Sequence, residues 1–502
     1  MSSTVFDSTG IETGPDGIRR YTGLAPTLPA LLSATAARVP GRTAVVEPGG
    51  PSVTYAELEE RARVVAGGLR AAGVGVGDRV ALRIGNGLDW VLAFWGTQLA
   101  GGVVVPLNTR LSEPEARFVL DDCGAAYVVE PGAPLPAGEP VEPHDAAPTD
   151  VAALFYTSGT TGRPKGAMTT HENFATAAEN MRRVLGLSRE GGETSLISVP
   201  LFHVTGCNSQ LLGQTAIGNT VVVMPRFSPA AVLEAIPAFG VSLLTSVPTI
   251  FELLLRHPSF ASTDVSGVRV LSYGGAPIAP ELVHRLMAAF PNARVGNGFG
   301  LTETAALATY LPHEFALEHA DSVGFAVPVD DVRVDRPDPD TGVGELLVRG
   351  PNVVAGYWGD PARTAETFRN GWLRTGDMAR VTDGMVRIVD RAKDMINRGG
   401  ENVYSVEVEN ALAEHPDVVE VAVVGVPDPV MGEKVGAVVQ PRAGVSAEDL
   451  VASLAPFARE RLADFKVPQF VKVLDAPLPR NAGGKVLKHP LRATTDWTPV
   501  PR

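Results

Sequence analysis

The 502-residue chain is 45% hydrophobic and 20% charged, which is the composition of an ordinary globular protein. Its formal net charge of -13 argues against general nucleic-acid binding, which needs a basic surface, and the two cysteines, Cys123 and Cys207, cannot make a disulfide framework. No apolar run approaches the roughly 18 residues of a membrane span and the N-terminus lacks a secretory pattern, so we predict a cytoplasmic chain that does not span a membrane.

Residues 28–129 alternate between helical and extended patterns. Thr54 opens one helix with a capping-box sequence, Thr54-Tyr-Ala-Glu57, and the apolar residues then recur at helical spacing until Gly73. Strands that alternate with helices are typical of a parallel, doubly wound sheet. We predict strands at 43–47, 80–84, 102–106 and 126–129, and helices at 28–39, between Thr54 and Gly73, at 89–100 and at 113–122.

A second α/β region follows a proline-rich loop at residues 131–148. From about residue 323 the pattern becomes β-rich, and residues 392–502 form a further unit of mixed helices and strands. The sequence therefore predicts an α/β protein with a large N-terminal domain and a small, mobile α+β C-terminal domain. The large domain, 1–391, comprises two doubly wound α/β subdomains and a small β-barrel-like subdomain, and the C-terminal domain is 392–502.

The most specific string in the chain is Thr157-Ser-Gly-Thr-Thr-Gly-Arg-Pro-Lys165-Gly166, which follows a short apolar strand. Glycines let backbone N–H groups approach a phosphate, the hydroxyls add donors and the lysine adds a positive charge. The string is not a Walker A loop, because only two residues separate Gly159 from Gly162 and a glycine follows Lys165. It predicts a triphosphate-binding loop; a polar turn after a strand is the alternative.

Three further strings supply the groups that a nucleotide needs. Tyr273-Gly-Gly-Ala-Pro277 offers small residues at the end of a strand, against which a flat ring can lie. In Asn297-Gly-Phe-Gly-Leu-Thr-Glu-Thr304, Phe299 offers an aromatic face to adenine, Thr302 a hydroxyl to the α-phosphate and Glu303 an oxygen ligand to Mg²⁺. In Trp372-Leu-Arg-Thr-Gly-Asp377, the carboxylate can accept from both ribose hydroxyls.

These strings resemble the signature motifs of the AMP-forming acyl- and aryl-CoA synthetases, adenylation domains and luciferases. The resemblance covers roughly residues 28 to 490 with the motifs in the family's order, although Phe299 stands where tyrosine is common. It implies ATP and coenzyme A as co-substrates and Mg²⁺ as a cofactor. The implied nucleotide-binding residues are Thr157, Ser158, Gly159, Thr160, Thr161, Gly162, Lys165, Gly274, Gly275, Ala276, Asn297, Gly298, Phe299, Gly300, Thr302, Asp377, Val389 and Arg391, with Glu303 at the metal.

The resemblance also implies which residues carry the reaction. Lys485, at a Gly-Gly-Lys tip, neutralises charge as the carboxylate attacks the α-phosphate, while Arg480 and Lys488 are expected to be surface charges. The implied catalytic residues are Lys485, Thr302 and His203.

Rotation of the small domain about a hinge at Lys393 is implied as well. This rotation moves Lys485 out of the active site and brings in a surface at Gly399 and Gly400. The pantetheine arm of coenzyme A lies along that surface. In the implied reaction, a carboxylic acid and ATP give an acyl-adenylate and pyrophosphate. A thiol then displaces AMP from the acyl-adenylate.

The candidate acyl pocket carries no lysine or arginine, and it lacks an acidic residue that could hold the ammonium of an amino acid. A hydrophobic monocarboxylic acid is therefore expected: a medium- or long-chain fatty acid, a bulky cyclic acid or an aryl acid. A freestanding adenylation enzyme that loads an acyl carrier protein and a luciferase-like oxygenase remain the alternatives, and a homodimer is left open. The pocket residues are His203, Cys207, Asn208, Val247, Ile250, Gly274 and Ala305.

Overall fold

The computed structural model of the chain describes residues 5–157, 164–276, 278–399, 401–480, 486–494 and 496–500. By its internal contacts the chain divides into two compact units. The large unit comprises residues 1–333, 347–374 and 382–386, and the small unit comprises residues 334–346, 375–381 and 387–502. The domain boundary that we place after residue 391 remains a prediction.

The strands are numbered along the chain. They are β1 Ile11–Thr13, β2 Arg19–Tyr21, β3 Thr43–Val46, β4 Ser52–Thr54, β5 Arg79–Leu82, β6 Val103–Pro106, β7 Ala125–Val129, β8 Val151–Thr157, β9 Lys165–Thr170, β10 Thr194–Ile197, β11 Thr220–Val223, β12 Leu243–Ser246, β13 Val270–Gly274, β14 Arg294–Phe299, β15 Thr309–Leu311, β16 Gly324–Ala326, β17 Asp331–Asp335, β18 Gly344–Arg349, β19 Phe368–Arg369, β20 Trp372–Thr382, β21 Met385–Arg391, β22 Ile396–Arg398, β23 Glu401–Val403, β24 Val418–Asp428, β25 Gly432–Pro441, β26 Phe470–Val473 and β27 Thr498–Pro499.

The α-helices are α1 Leu28–Arg38, α2 Tyr55–Ala71, α3 Leu88–Ala100, α4 Glu113–Cys123, α5 His171–Val184, α6 Gly213–Ile217, α7 Pro229–Ala238, α8 Pro248–Arg256, α9 Pro280–Ala289, α10 Pro361–Thr367, α11 Ser405–Ala413, α12 Ala447–Arg459 and α13 Lys488–Arg492. Short 3-10 turns lie at 258–262, 302–304, 313–315 and 464–466, and a π-helix lies at 205–212. No helix among the described residues is both long and apolar enough to cross a bilayer.

Two twisted sheets organise the large unit. One has the order β7-β5-β6-β8-β9, and all its pairs are parallel except the β8–β9 hairpin. The other contains the parallel run β14-β13-β12-β10-β11-β3, which is followed by antiparallel β4 on the β3 side and by antiparallel β15 and β16 on the β14 side. The two doubly wound α/β subdomains predicted from the sequence are therefore confirmed, and β17, β18, β20 and β21 supply the β-rich segment.

Local sequence explains the start of α2 and the burial of α3. Thr54 accepts from the backbone N–H of Glu57, and Glu57 accepts in return from the Thr54 N–H, so the predicted capping box is confirmed. In α3, every residue except Asp89 is buried. A helix that is apolar on all sides belongs in the core. Accordingly, α3 contributes its own residues Trp90, Phe94 and Trp95 to the largest hydrophobic cluster of the described residues.

One element escaped the sequence analysis. Residues 165–170, of which only Lys165 and Gly166 belong to the predicted phosphate-binding string, form strand β9 and pair antiparallel with β8 from Val151↔Thr170 to Thr157↔Lys165. Lys-Gly-Ala-Met is a poor strand signal by itself. The buried partner strand β8 provides the hydrogen-bonding edge that overrides this local preference.

The small unit has its own sheet and core. Its strands have the order β23-β22-β25-β26-β27, β24 pairs antiparallel with β25, and β25 pairs parallel with β26. Helices α11 and α12 contribute Val408, Leu412, Leu450 and Leu454 to a buried cluster with residues of β24 and β25. The predicted α+β character of this part of the chain is confirmed.

Candidate active site

The β8–β9 hairpin holds the two ends of the predicted phosphate loop. Thr157 and Lys165 are the last paired residues, and Tyr156 faces Gly166 across the same ladder. A Cβ on Gly166 would lie 3.0 Å from the Tyr156 ring, so this position favours glycine. The Thr157 hydroxyl is buried and has no hydrogen-bond partner among the residues that the structure describes, which leaves it available to a ligand. The predicted contacts Ser158, Gly159, Thr160, Thr161 and Gly162 lie outside the described residues.

Lys165 and Glu303 come together although 138 residues separate them in the sequence. The Lys165 Nζ lies 3.3 Å from Oε1 of Glu303, and both side chains are largely shielded from solvent. A lysine ammonium suits phosphate oxygens and a carboxylate suits Mg²⁺, so the chemistry of this ion pair is compatible with the predicted phosphate and metal contacts.

Tyr357 completes this cluster, and sequence reasoning missed it. Its hydroxyl donates to Oε1 of Glu303 at 2.7 Å and accepts from the Lys165 Nζ at 2.5 Å. The available sequence signal was weak: an aromatic pair, Tyr357-Trp358, that follows Gly356 at the end of an apolar run. Only the three-dimensional contact distinguishes Tyr357 from a core aromatic.

Adjacent glycines shape the end of β13 and β14, where the predicted adenine site lies. Gly274 and Gly298 are register partners, and a Cβ on Gly274 would lie 2.2 Å from the carbonyl oxygen of Gly298. Phe299 is half-buried beyond this pair, while Gly275 has φ +75° and Ala276 is exposed. The close approach of the two backbones requires glycine and keeps this strand edge open.

The segment from Gly300 to Ala306 is a tight loop with unusual backbone geometry. A Cβ on Gly300 would lie 1.4 Å from the carbonyl oxygen of Ala306, so only glycine fits. Ala305 and Ala306 have φ +49° and +119°, in the region that alanine rarely adopts. Thr302 is half-buried at the start of the turn, next to Glu303. Strained backbone at this site fits a loop shaped for ligand binding.

Asn352 holds this loop from behind. Its amide Nδ2 donates to the carbonyl oxygens of Thr304 and Leu307 at 3.2 and 2.9 Å, and to Oδ2 of the buried Asp330 at 3.0 Å. Burial raises the pKa of Asp330 well above its usual range. On the other side of the loop, the carbonyl oxygen of Ala305 accepts from the Nδ2 of Asn208 at 3.0 Å.

Asn297 has a structural partner as well as its predicted nucleotide role. It is buried, and its Nδ2 donates to the carbonyl oxygen of Ser322 at 3.0 Å. This bond fixes the side chain at the end of β14.

The predicted acyl-pocket residues lie on several elements. His203 precedes the π-helix at 205–212, accepts from the Cys207 N–H at its carbonyl oxygen and has an exposed side chain. Cys207 and Asn208 are buried in that helix. Ala305, whose carbonyl oxygen accepts a hydrogen bond from Asn208, is buried in the loop at 300–306. Gly275 lies next to Val247, because a Cβ on Gly275 would lie 3.7 Å from the Val247 Cγ1. The half-buried Ile250 is on α8, and Gly274 ends β13.

Crowded surroundings lower the pKa of the His203 imidazole below its ordinary value, with a smaller contribution from repulsion by Arg110. A histidine with a lowered pKa is neutral at pH 7 and can accept or donate one hydrogen bond without adding charge.

In the small unit, Asp377 and Arg391 form an ion pair, with 2.6 Å between Oδ1 and Nε. Asp377 is 3% exposed, and Gly376 beside it has φ +72° and donates from its N–H to Glu345. Val389 is half-buried on β21, two residues before Arg391. The ion pair with Arg391 therefore fixes the orientation of the Asp377 carboxylate, which we expect to bind ribose.

Lys393 is exposed just after β21, and Gly399 is exposed in the β22–β23 hairpin. Gly399 has φ +61°, and a Cβ there would lie 2.4 Å from the Met431 side chain. The backbone therefore favours glycine at the position that we assign to coenzyme A. Gly400 and Lys485 lie outside the described residues.

The family model of AMP-binding enzymes matches residues 32–358, and the model of the AMP-binding enzyme C-terminal domain matches residues 407–485. The chain belongs to this family. A feruloyl-CoA synthase of Amycolatopsis is 40% identical over 91% of this chain and 96% of the relative. The long-chain-fatty-acid–CoA ligase FadD13 of Mycobacterium tuberculosis is 35% identical over 90% of this chain and 95% of its own length.

A solved structure of the o-succinylbenzoate CoA synthetase MenE of Bacillus subtilis, in complex with an acyl-adenylate intermediate, matches with a TM-score of 0.84. It is 32% identical and covers 93% of this chain and 99% of that one. The chain is thus an AMP-forming acyl- or aryl-CoA synthetase, an acid–thiol ligase that binds ATP. The resemblance inferred from the motifs is confirmed.

Proposed function

We propose that this ligase activates a hydrophobic monocarboxylic acid, either a medium- or long-chain fatty acid, a bulky cyclic acid or an aryl acid. The supporting observation is the chemistry of the candidate pocket. Cys207 and Ala305 are fully buried, Val247 and Ile250 are apolar and half-buried, and His203 is neutral at pH 7. Such a lining favours an apolar acyl group oriented by a few polar contacts.

In the proposed reaction, Lys165 and the Thr157 hydroxyl bind phosphate oxygens, and Asp377 with Arg391 binds ribose. Glu303 fits Mg²⁺, because this ion takes one or two carboxylates together with phosphate oxygens and water. The described residues contain no cluster of three or more His, Cys, Asp and Glu side chains suited to a metal, which agrees with an ion held mainly by the nucleotide. When bound, Mg²⁺ neutralises charge on the phosphates.

The remaining roles follow the family resemblance. Thr302 donates to the α-phosphate, Lys485 stabilises the charge that develops there, and His203 borders the carboxylate. Rotation about Lys393 then brings Gly399 and Gly400 to the thiol of coenzyme A. We place the enzyme in the cytoplasm, where its two buried cysteines stay reduced.

A product assay by mass spectrometry tests this proposal. The enzyme is incubated with ATP, Mg²⁺, coenzyme A and a panel of acetate, malonate, octanoate, palmitate, ferulate, benzoate and a polycyclic acid. We expect AMP and the thioester of an apolar acid from the panel. Malonate is included because Arg110 lies within electrostatic reach of His203, and a preference for malonate or acetate would contradict the proposed substrate class.

The same assay separates the alternatives. Adenylate that accumulates with coenzyme A but moves to an added acyl carrier protein would identify a carrier-loading enzyme. Formation of ADP in place of AMP would contradict the adenylate mechanism.

A further inference from the structure

Tyr357 occupies a position between the two charged groups of the nucleotide site. Its hydroxyl lies 2.5 Å from the Lys165 Nζ and 2.7 Å from the Glu303 Oε1, whereas Lys165 and Glu303 are 3.3 Å apart. The ammonium also lies 4.0 Å from the centre of the Tyr357 ring. One neutral side chain thus contacts both charges.

The direction of these hydrogen bonds is fixed by chemistry. An ammonium has only donors and a carboxylate has only acceptors, so the hydroxyl accepts from Lys165 and donates to Glu303. Hydrogen bonds to charged groups are short and strong, and they orient both partners.

The backbone at Tyr357 is held rigidly from two sides. Within the segment 354–358, Ala355 donates to Met168 and Trp358 donates to Gly166, both on β9, at 3.1 and 2.8 Å. At the start of the segment, the Val354 N–H donates to the carbonyl oxygen of Glu303 at 3.0 Å. The segment therefore ties the strand that carries Lys165 to the loop that carries Glu303.

The side chain of Tyr357 is also fixed by packing. The residue is 2% exposed and belongs to a small cluster with Ala167, Val354 and Phe368, whose ring lies 5.6 Å away at 61°. A hydroxyl on such a fixed ring has little freedom to move. Preorganised donors and acceptors of this kind reduce the cost of ordering a binding site when its ligand arrives.

We propose that Tyr357 is a positioning residue for Mg²⁺·ATP: its hydroxyl presets the Lys165 ammonium for phosphate and the Glu303 carboxylate for the metal. This inference rests on the proposed nucleotide site. Removing the hydroxyl leaves both charges in place but frees their orientation, so the Tyr357→Phe variant binds Mg²⁺·ATP more weakly.

Calorimetric titration with Mg²⁺·ATP, and with ATP in the presence of a chelator, measures this effect directly. We expect the Kd for Mg²⁺·ATP to rise about tenfold in Tyr357→Phe, because neither charged group is then preset for its ligand, and the Kd for metal-free ATP to change less. The KM for ATP should rise with it, while thioester formation from supplied acyl-adenylate stays at the wild-type rate.

Tyr55→Phe is the matched control, because Tyr55 is buried and donates from its hydroxyl to the Asn219 carbonyl oxygen at 2.6 Å, outside the nucleotide site. Both variants lose a buried phenol hydrogen bond and should have similarly lowered melting temperatures, but only Tyr357→Phe should change the Kd. An unchanged Kd in Tyr357→Phe overturns the proposal and leaves the ligase function intact. Failure of the wild-type protein to bind Mg²⁺·ATP would overturn both.

Discussion

Lys488 places its Nζ 2.7 Å from Oε1 of Glu409 inside the small unit, with 15% and 19% of the two side chains exposed. The ammonium also donates to the Ser405 hydroxyl at 2.7 Å, and that hydroxyl donates to Asp390 at 3.0 Å. Our expectation that Lys488 is a surface charge is therefore wrong. The lysine compensates the buried Asp390, which directly precedes Arg391, and the largely buried Glu409.

Replacing Lys488 with methionine should destabilise the small unit strongly. Burial raises the pKa values of Asp390 and Glu409, and the Lys488 ammonium opposes that increase. Without the cation both carboxylates lose their compensation, and breaking a buried pair in this way costs about 3 kcal/mol. Chemical unfolding monitored by circular dichroism measures the loss.

Lys472→Met is the control for this prediction, because Lys472 pairs at 2.7 Å with Asp496, whose side chain is 73% exposed. Surface pairs contribute about 0–1 kcal/mol, so the control should remain close to the wild type. Equal losses in the two variants would show that the buried cluster does not depend on Lys488.

Much of this architecture could be predicted because its signals are local. The capping box at Thr54 and the alternation of helices and strands both express preferences within a few residues. The family resemblance assigned Asp377 and Arg391 to one site, and the structure joins them as an ion pair.

The remainder depends on contacts that are distant in the sequence. Strand β9 forms because β8 offers it an edge, and Tyr357 is significant only because the fold brings it to Lys165 and Glu303. The charge of Lys488 suggested solvent exposure, yet its partner Glu409 lies 79 residues earlier. A pattern read along one chain contains no direct signal for such pairs.

Replacing Glu303 with glutamine should impair the use of Mg²⁺·ATP while keeping an oxygen that can accept from Tyr357. The neutral amide binds Mg²⁺ poorly and no longer balances Lys165, so we expect the KM for Mg²⁺·ATP to rise at least tenfold, about 1.4 kcal/mol. Initial rates and calorimetric binding over a range of Mg²⁺ concentrations provide the measurement. Glu314→Gln, at an exposed carboxylate paired with Arg294, is the control. Kinetics that stay unchanged at limiting Mg²⁺ would remove Glu303 from the metal site.

Replacing Lys485 with alanine should separate the two half-reactions. The described residues on either side of the Lys485 segment are held together, since Arg480 bridges to Val486 and the Leu487 N–H donates to the Pro479 carbonyl oxygen at 2.7 Å. Losing a cation that stabilises the transition state should slow adenylate formation about 100-fold or more. Pyrophosphate release measures that step, and thioester formation from supplied acyl-adenylate should persist. Equal loss of both steps would contradict the assigned role.

His171 should make the large unit less stable in mild acid. It is 4% exposed, and its Nδ1 accepts from the Leu28 N–H at 3.2 Å. Burial lowers its pKa from 6.5 to about 4, Asp150 opposes this change and His144 reinforces it. Between pH 6.5 and pH 4 the unfolded chain binds a proton that the folded chain does not, so stability falls as the pH falls through this window.

The expected contribution of His171 is a loss of about 2 kcal/mol between pH 7 and pH 5, from a difference of about 2.5 pKa units. Urea unfolding at both pH values measures it, with His171→Gln keeping a hydrogen-bond acceptor that does not titrate. The free energy of unfolding of this variant should depend less steeply on pH than that of the wild type. His284→Gln, at an exposed histidine, should follow the wild type. Parallel pH profiles for wild type and His171→Gln would contradict a lowered pKa for His171, because a group with the same pKa in both states leaves stability independent of pH.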